Sequence, residues 1–222
     1  MSVLSATAGL LLLGAGSAQA VDITTNAECC TFAAGPFVQG QGETAGFSNL
    51  DQGGATSFHN VTATKTGPDG EPLFYSETVA GGDTSPVEGT KYLPAGAYPF
   101  VCTLHSGMNG RLEVSPIGSP VARPGVKAAI PAQRLARVRK TGKLKIRLSP
   151  LAPSTGLTIE VNAGGRLAGV TEDVNLAGQA KTVTIKFFKR ARKAIAKGKK
   201  VKFAATVQVP WGKTARVSRA LR

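Results

Sequence analysis

The sequence predicts an all-β protein of two domains, and three observations lead to that prediction. Glycine and proline are abundant, at 27 and 13 of 222 residues, which favours many short strands and turns. Apolar and polar residues alternate along several segments with the period of a half-buried strand. The charge changes sign near residue 120, because residues 21–120 hold three basic and ten acidic side chains, net −7, and residues 121–222 hold twenty-four and three, net +21.

The first twenty residues, MSVLSATAGLLLLGAGSAQA, have the pattern of an export signal. Their apolar stretch is too short to span a bilayer comfortably, and Ala18 and Ala20 flank a cleavage point. No Lys or Arg precedes the stretch, which leaves an uncleaved anchor as the alternative. No other segment is apolar for long enough to cross a membrane. We therefore expect a protein that is not transmembrane after signal removal and is periplasmic, extracellular or associated with the cell envelope.

The stretch SPIGSPVARPG at residues 115–125 is rich in Pro and Gly and is typical of a linker. It coincides with the change in charge. The predicted boundaries are a signal at 1–20, a first domain at 21–115, a linker at 116–125 and a second domain at 126–222.

Strand patterns in the predicted first domain are short and separated by turns. TAGFSNL alternates with Ala45, Phe47 and Asn49 on one face. AYPFVCTL does the same with Phe100 and Cys102, and GRLEV closes the domain. No window has a helical period, so this half is predicted to be a β-sandwich or barrel.

Alternation is plainer in the predicted second domain. KLKIRLS places Leu144, Ile146 and Leu148 inward and cations outward. FKRARKAIAKGKK has room for one or two helical turns, ended by Gly198. We predict a basic, Ig-like antiparallel β-sandwich with one short helix.

The segment YPFVCTLHSGMNGRLEV contains a thiol, an imidazole and a thioether at Cys102, His105 and Met108, each three residues from the next. Soft sulfur ligands select copper(I), and imidazole suits both copper oxidation states. His59 is the only other histidine in the chain. Two histidines, one cysteine and a weak axial methionine form the ligand set of a blue-copper centre. Zinc would need more thiolate or imidazole, and three merely buried side chains are the remaining alternative.

The combination of SFHNVTA with YPFVCTLHSGMNGRLEV resembles the cupredoxins, in particular plastocyanin, pseudoazurin and amicyanin, over about residues 30–115. The resemblance implies a Greek-key β-sandwich that binds one type 1 copper ion. It implies ring-nitrogen ligands from His59 and His105, a thiolate from Cys102 and a long axial bond from Met108. It also implies that Asn60 ties the two ligand loops together and helps to hydrogen-bond the cysteine sulfur.

These residues lead us to expect an electron carrier that works between a redox donor and a redox acceptor. Catalysis at a second copper site would need further histidines, and the chain has none to spare. We therefore predict that the protein is not an enzyme. A copper-delivery protein of the cell envelope, without electron transfer, is the alternative.

Cys29 and Cys30, in AECCTFAAGPF, depart from the cupredoxin pattern. Adjacent residues of a strand point to opposite faces, so we expect one core and one surface thiol. A bond between neighbours would strain the peptide between them. Three roles remain open for these two cysteines. They are structural thiols, a disulfide within or between chains, or a part in metal capture.

The basic second domain has two candidate roles. Its cations alternate with core residues, as in a solvated sheet face or spacer. If the charge has a partner, an anionic cell-envelope polymer fits best. Aromatic side chains for base stacking are scarce in this half, which argues against nucleic acid.

Overall fold

The computed structural model describes residues 21–53, 57–196 and 199–222. The predicted export signal and the predicted cap at Gly198 lie outside these residues. Within them, no helix combines the length and apolar character needed to cross a membrane.

Within the described residues, the first half contains mostly short strands and a 3-10 turn at Thr90–Tyr92. Alternating apolar residues favour strands here, and the frequent turn residues between them keep the strands short. The strands are Asp22–Thr24 (β1), Phe37–Gln41 (β2), Ala45–Ser48 (β3), Phe58–His59 (β4), Thr62–Ala63 (β5), Tyr75–Ser76 (β6), Val79–Ala80 (β7), Thr84–Glu88 (β8), Gly96–Val101 (β9) and Asn109–Gly118 (β10).

Eight of these strands form one sheet in the order β1-β3-β8-β6-β5-β9-β10-β2, and β4 pairs with β7 separately. β1 runs parallel to β3 and β2 parallel to β10, whereas β9 and β10 are antiparallel neighbours. The predicted alternation is present, because Ala45 and Phe47 point into the core and Gly46 and Ser48 do not. The largest fully buried side chains of this half are Phe47, Phe74, Phe100, Ile23, Leu93, Met108 and Leu112.

In the part of the second half that the structure describes, there are seven strands and two helices. These are Gly125–Ala129 (β11), Leu135–Thr141 (α1), Lys143–Ala152 (β12), Ser154–Ala163 (β13), Arg166–Leu176 (β14), Lys181–Lys186 (β15), Lys189–Ile195 (α2), Val201–Gln208 (β16) and Ala215–Leu221 (β17).

A three-stranded sheet, β11-β12-β15, and a four-stranded sheet, β14-β13-β16-β17, share one hydrophobic core in this half. Leu144, Ile146 and Leu148 are fully buried in it, while the cations between them are exposed. Burying one face of each sheet is the arrangement of a β-sandwich. The prediction of an all-β chain with a second, Ig-like sandwich is confirmed.

The prediction of one short helix is wrong in number, because the structure has two. α2 lies where FKRARKAI predicted it, but α1 was missed. α1 is only seven residues long and buries Leu135 and Val138, a single helical step, so its sequence shows no period. It ends at Gly142, whose φ of 61° suits a left-handed C-terminal cap.

The two halves meet through Trp211, which follows β16. Its backbone N–H donates a hydrogen bond to the Asp69 carboxylate, and its ring lies 5.2 Å from that of Tyr75, centroid to centroid. β10 continues to Gly118 and β11 begins at Gly125, so both strands extend into the segment predicted as a linker. The predicted domain boundaries themselves stay a prediction.

Candidate metal centre

Strand pairing brings the two distant histidine-containing segments together. β5 pairs with β9, with Thr62 opposite Val101, and β4 lies just before β5 in the chain. His59, the last residue of β4, is thereby placed beside Cys102, which directly follows β9. The two segments are 43 residues apart in sequence.

The turn between β9 and β10 carries the other three predicted ligands. The Cys102 N–H donates to the Met108 carbonyl over 3.0 Å, and the Met108 N–H donates to the His105 carbonyl over 3.3 Å. Gly107 has a φ of 81°, a conformation that glycine adopts without steric cost. The turn thus brings the backbone of Met108 back to that of Cys102.

Three of the predicted ligands converge. The Cys102 sulfur lies 3.8 Å from His59 Nδ1 and 3.6 Å from His105 Nδ1. The two imidazole rings are 4.6 Å apart, centroid to centroid. One donor atom from each of the three residues lies within 4.8 Å of the other two. These separations between donor atoms are short enough for the three side chains to bind a single ion.

Burial differs among the four side chains. His59 is completely buried, and Cys102 and Met108 expose 3% and 1% of their surface. His105 is half-buried, and its neighbour Leu104 is 52% exposed. The centre thus has a dry interior and one edge, at His105, that reaches solvent.

The donors fit one copper ion. Imidazole nitrogen and a thiol sulfur converge, and the buried thioether of Met108 belongs to the same core cluster as Cys102. Thiolate and thioether are soft donors, which suit copper(I), and imidazole suits copper in both oxidation states.

Asn60 joins the two ligand segments. Its side-chain oxygen accepts a hydrogen bond from the Thr103 N–H at 2.9 Å, and its nitrogen donates to the Thr103 hydroxyl at 2.8 Å. The same nitrogen donates to the Thr78 hydroxyl at 3.2 Å. Asn60 therefore connects the residue after His59 to the residue after Cys102.

Asp51 is a residue of the centre that the sequence did not reveal. Its carboxylate lies 3.1 Å from His59 Nε2, on the side of the ring opposite the Cys102 sulfur. The pKa of Asp51 is lowered to about 2 by hydrogen bonds from the Ser57 hydroxyl, the Gly53 N–H and His59, in that order. In the sequence, Asp51 stands in a turn-like stretch, LDQGG, where an acid carries no distinguishing signal.

Asn49 holds the loop that carries Asp51. Its amide nitrogen donates to the carbonyls of Ser57 and Val79, both at 3.0 Å. Its oxygen accepts from the Thr25 hydroxyl and from the Asp51 N–H, both at 3.2 Å. Asn49 is completely buried, as its place on the inward face predicted.

Cys29 and Cys30 are joined to each other as a disulfide. The expectation of one core and one surface thiol is wrong, because the pair lies in a turn between β1 and β2 rather than on a strand. Cys29 is exposed and Cys30 is half-buried. Donor atoms of both cysteines and of His105 lie within 4.8 Å of one another.

No family model matches the chain, and no curated protein does. Among solved structures it is similar to auracyanin A, a "blue" copper protein from Chloroflexus aurantiacus, at 20% identity over 44% of this chain and 98% of that one, with a TM-score of 0.36. It is similar to amicyanin from Paracoccus versutus at 25% identity over 43% and 81%, with a TM-score of 0.34. A copper-containing nitrite reductase from Thermus scotoductus matches at 22% identity over 46% and 23%, with a TM-score of 0.33.

The TM-scores are low, so the function rests on the contacts of this chain. The absence of catalysis stays a prediction.

Proposed function

We propose that this chain is an exported type 1 blue-copper protein of the cupredoxin family that passes single electrons between a redox donor and a redox acceptor. The observation that carries the proposal is the Cys102 sulfur between two histidine Nδ1 atoms, at 3.8 Å and 3.6 Å. Here both rings turn one nitrogen toward a buried thiol.

In this proposal His59 and His105 supply ring nitrogens, Cys102 supplies a thiolate and Met108 supplies a weak axial sulfur. Bound copper would supply the one-electron change between its two oxidation states. The chain's part is to hold the donors still. The Asn60 bonds to Thr103 fix the two segments relative to each other, which limits rearrangement on electron gain.

Electrons would enter and leave at the edge of His105. His105 is the only one of the four proposed ligands that is not buried. Leu104, 52% exposed, and Gly107, at the tip of the turn, surround this edge. Such an apolar surface suits brief contact with a redox partner, because few charges must be desolvated.

Cys102→Ser tests the centre directly. Copper-loaded protein is expected to show an intense visible absorption from charge transfer between thiolate and metal, and the variant is expected to lose it. Cys29→Ser is the matched control and should retain the absorption. A Cys102→Ser protein with the same visible band as the unmodified chain would overturn the proposal.

Copper delivery is the alternative function of the same centre. Stopped-flow mixing with a one-electron reductant and then an oxidant, alongside removal of copper by a chelator, distinguishes the two. An electron carrier exchanges electrons fast and keeps its metal, whereas a delivery protein releases the metal readily. The burial of Cys102 and Met108 favours retention.

We assign the second half to positioning or to attachment at an anionic cell-envelope polymer. β12 presents Lys143, Lys145 and Arg147 side by side on its exposed face. Binding of the full chain to envelope fractions should weaken steeply with salt, and the triple replacement of these residues by Glu should weaken it further. If neither salt nor this variant weakens binding, the three cations do not contact the polymer and form only a solvated sheet face.

The whole sequence contains two histidines, and the proposed centre uses both. A second, catalytic copper site would have no imidazole left within this chain. We therefore propose an electron carrier rather than an enzyme. Turnover of nitrite by the copper-loaded chain alone would contradict this.

A further inference from the structure

The disulfide pair Cys29 and Cys30 lies beside the metal centre but has no part in the electron transfer proposed for it. One donor atom each from Cys29, Cys30 and His105 lies within 4.8 Å of the other two. The same relationship holds among His59, Cys102 and His105. Because His105 belongs to both sets, the two groups of donors are contiguous in space.

Exposure decreases along this row of donors. Cys29 is exposed, and Cys30 and His105 are half-buried. Cys102 and His59 are buried beneath them. An ion bound by the cysteine pair would therefore stand at the solvent edge of the centre, next to the one proposed ligand that reaches solvent.

We propose that reduction of the Cys29–Cys30 disulfide opens a second metal site, in which two thiolates and His105 bind copper(I). In the disulfide the sulfurs are uncharged and bonded to each other, so they are poor ligands. Thiolates are soft donors that select copper(I). The reduced pair supplies two of them at one place.

The chemistry needs a small thiol as reductant. Two of its thiols give up two electrons and two protons and become a disulfide. The Cys29–Cys30 bond breaks, and each sulfur takes one electron and one proton. Copper(I) then displaces the thiol protons as it binds, without further electron transfer.

A third donor group, Cys29 with Asp51 and His59, is a weaker candidate for the same ion. The Asp51 oxygens already accept hydrogen bonds from the Gly53 N–H, at 2.8 Å, and face His59 Nε2 at 3.1 Å. A carboxylate is also a hard ligand that suits copper(I) poorly. The two-thiolate group with His105 is therefore the site.

The outer site serves as the entry point for copper, and this part of the proposal rests on the proposed blue-copper function. The inner donors Cys102 and His59 are buried, whereas His105 is half-buried and belongs to both groups of donors. A copper(I) ion held by the cysteine pair can exchange its thiolates one at a time for inner donors while His105 stays available. Cys102 then loses its proton, and the pair regains two, one in place of that proton and one from solvent.

Copper(I) titration of the full-length Cys102→Ser variant tests the outer site alone, because this variant lacks the inner thiolate. The protein is reduced with a dithiol, the dithiol is removed anaerobically, and copper(I) is added in competition with a copper(I) chelator. The reduced variant is expected to bind one ion per chain. The same protein left oxidised is the matched control, and Cys29→Ser/Cys30→Ser/Cys102→Ser is the second.

Loss of a single outer-sphere partner costs about 10–100-fold in metal affinity, so both controls should bind at least about 100-fold more weakly. Equal copper(I) affinity in the reduced and oxidised Cys102→Ser protein would overturn the outer site. Since these two samples have identical sequences, misfolding of a variant does not explain a difference between them.

Loading kinetics test the entry role. Reduced unmodified chain and the Cys29→Ser/Cys30→Ser variant receive copper(I) from a chelate and are then oxidised, and the visible absorption is followed. Loading should be about tenfold slower in the variant, because capture raises the effective concentration of copper at the inner donors. Equal rates would overturn the entry role. A missing visible band in the unmodified chain would instead overturn the proposed function and leave the titration of Cys102→Ser unaffected.

Discussion

The Asp51 carboxylate lies 3.1 Å from Nε2 of His59, while Nδ1 of the same ring lies 3.8 Å from the Cys102 sulfur. A carboxylate accepts the hydrogen of Nε2, which leaves the lone pair on Nδ1 as the donor to a metal. The side chain thereby selects the tautomer that the proposed centre needs. It also places a negative charge behind a proposed ligand.

Asp51→Asn is expected to raise the reduction potential of the copper-loaded protein. The anionic acceptor makes imidazole a stronger donor and favours the more highly charged, oxidised ion, so its loss favours the reduced one. A tenfold change in the ratio of the two affinities corresponds to about 59 mV for one electron. A spectroelectrochemical titration measures the shift. Asp22→Asn, an exposed carboxylate on β1, is the control, and an equal potential in both variants would contradict the prediction.

The metal-free chain should lose stability in acid through Asp51. Its folded pKa of about 2 lies below the ordinary value of 3.8, because the Ser57, Gly53 and His59 hydrogen bonds favour the charged form. This stabilisation is complete above the ordinary pKa and is lost as the pH falls toward about 2. At a pH above 3.8, Asp51→Asn should therefore have a lower Tm than the unmodified chain. This difference in Tm should shrink as the pH falls from 3.8 toward about 2. A Tm difference that is constant with pH would refute this.

Asn60→Ala should destabilise the metal-free fold. The change removes the two hydrogen bonds between the Asn60 side chain and Thr103, and each such bond contributes about 0.5–1.5 kcal/mol to the free energy of unfolding. Denaturant unfolding measures it. Asn109→Ala removes an exposed amide that bonds only within the same turn, to the Gly107 carbonyl, and should change stability much less. Similar losses in the two variants would contradict the assigned link.

Leu104→Glu should slow electron exchange between copies of the copper-loaded chain. Two such copies would meet through like charges at the His105 edge, and association rates of variants of one interface differ by about 1–3 decades. Self-exchange line broadening in NMR measures the rate, and the visible spectrum should stay the same. Leu151→Glu, at a 65% exposed position on β12, is the control. If both variants exchange at one rate, electrons leave elsewhere.

Trp211→Ala should loosen the contact between the two halves. The Trp211 ring lies beside that of Tyr75 at an interplanar angle of 32°, and such aromatic pairs contribute about 0.5–1.5 kcal/mol beyond the area that they bury. Hydrogen exchange of amides in β6 and in the segment around Asp69 should become faster. Phe188→Ala, which removes a 40% exposed ring of the second half, should leave those amides unchanged. Unchanged protection in Trp211→Ala would show that the ring contact does not hold the halves together.

The alternation of Leu144, Ile146 and Leu148 made the second sandwich predictable, because a strand with period two must bury one face. α1 was not predictable in this way. Its seven residues contain one buried pair, so its helical form depends on the sheet beneath it more than on its own pattern.

The sequence by itself determined the donor types of the metal centre and the short turn that carries three of them, because these are local properties of residues 102–108. Only the tertiary structure decided that Asp51 stands behind His59, that the Cys29–Cys30 disulfide lies beside His105, and that Trp211 meets Tyr75. Each of these contacts joins separate segments whose approach depends on strand order and loop closure. Strand order and loop closure cannot be read from the spacing of residues along the chain.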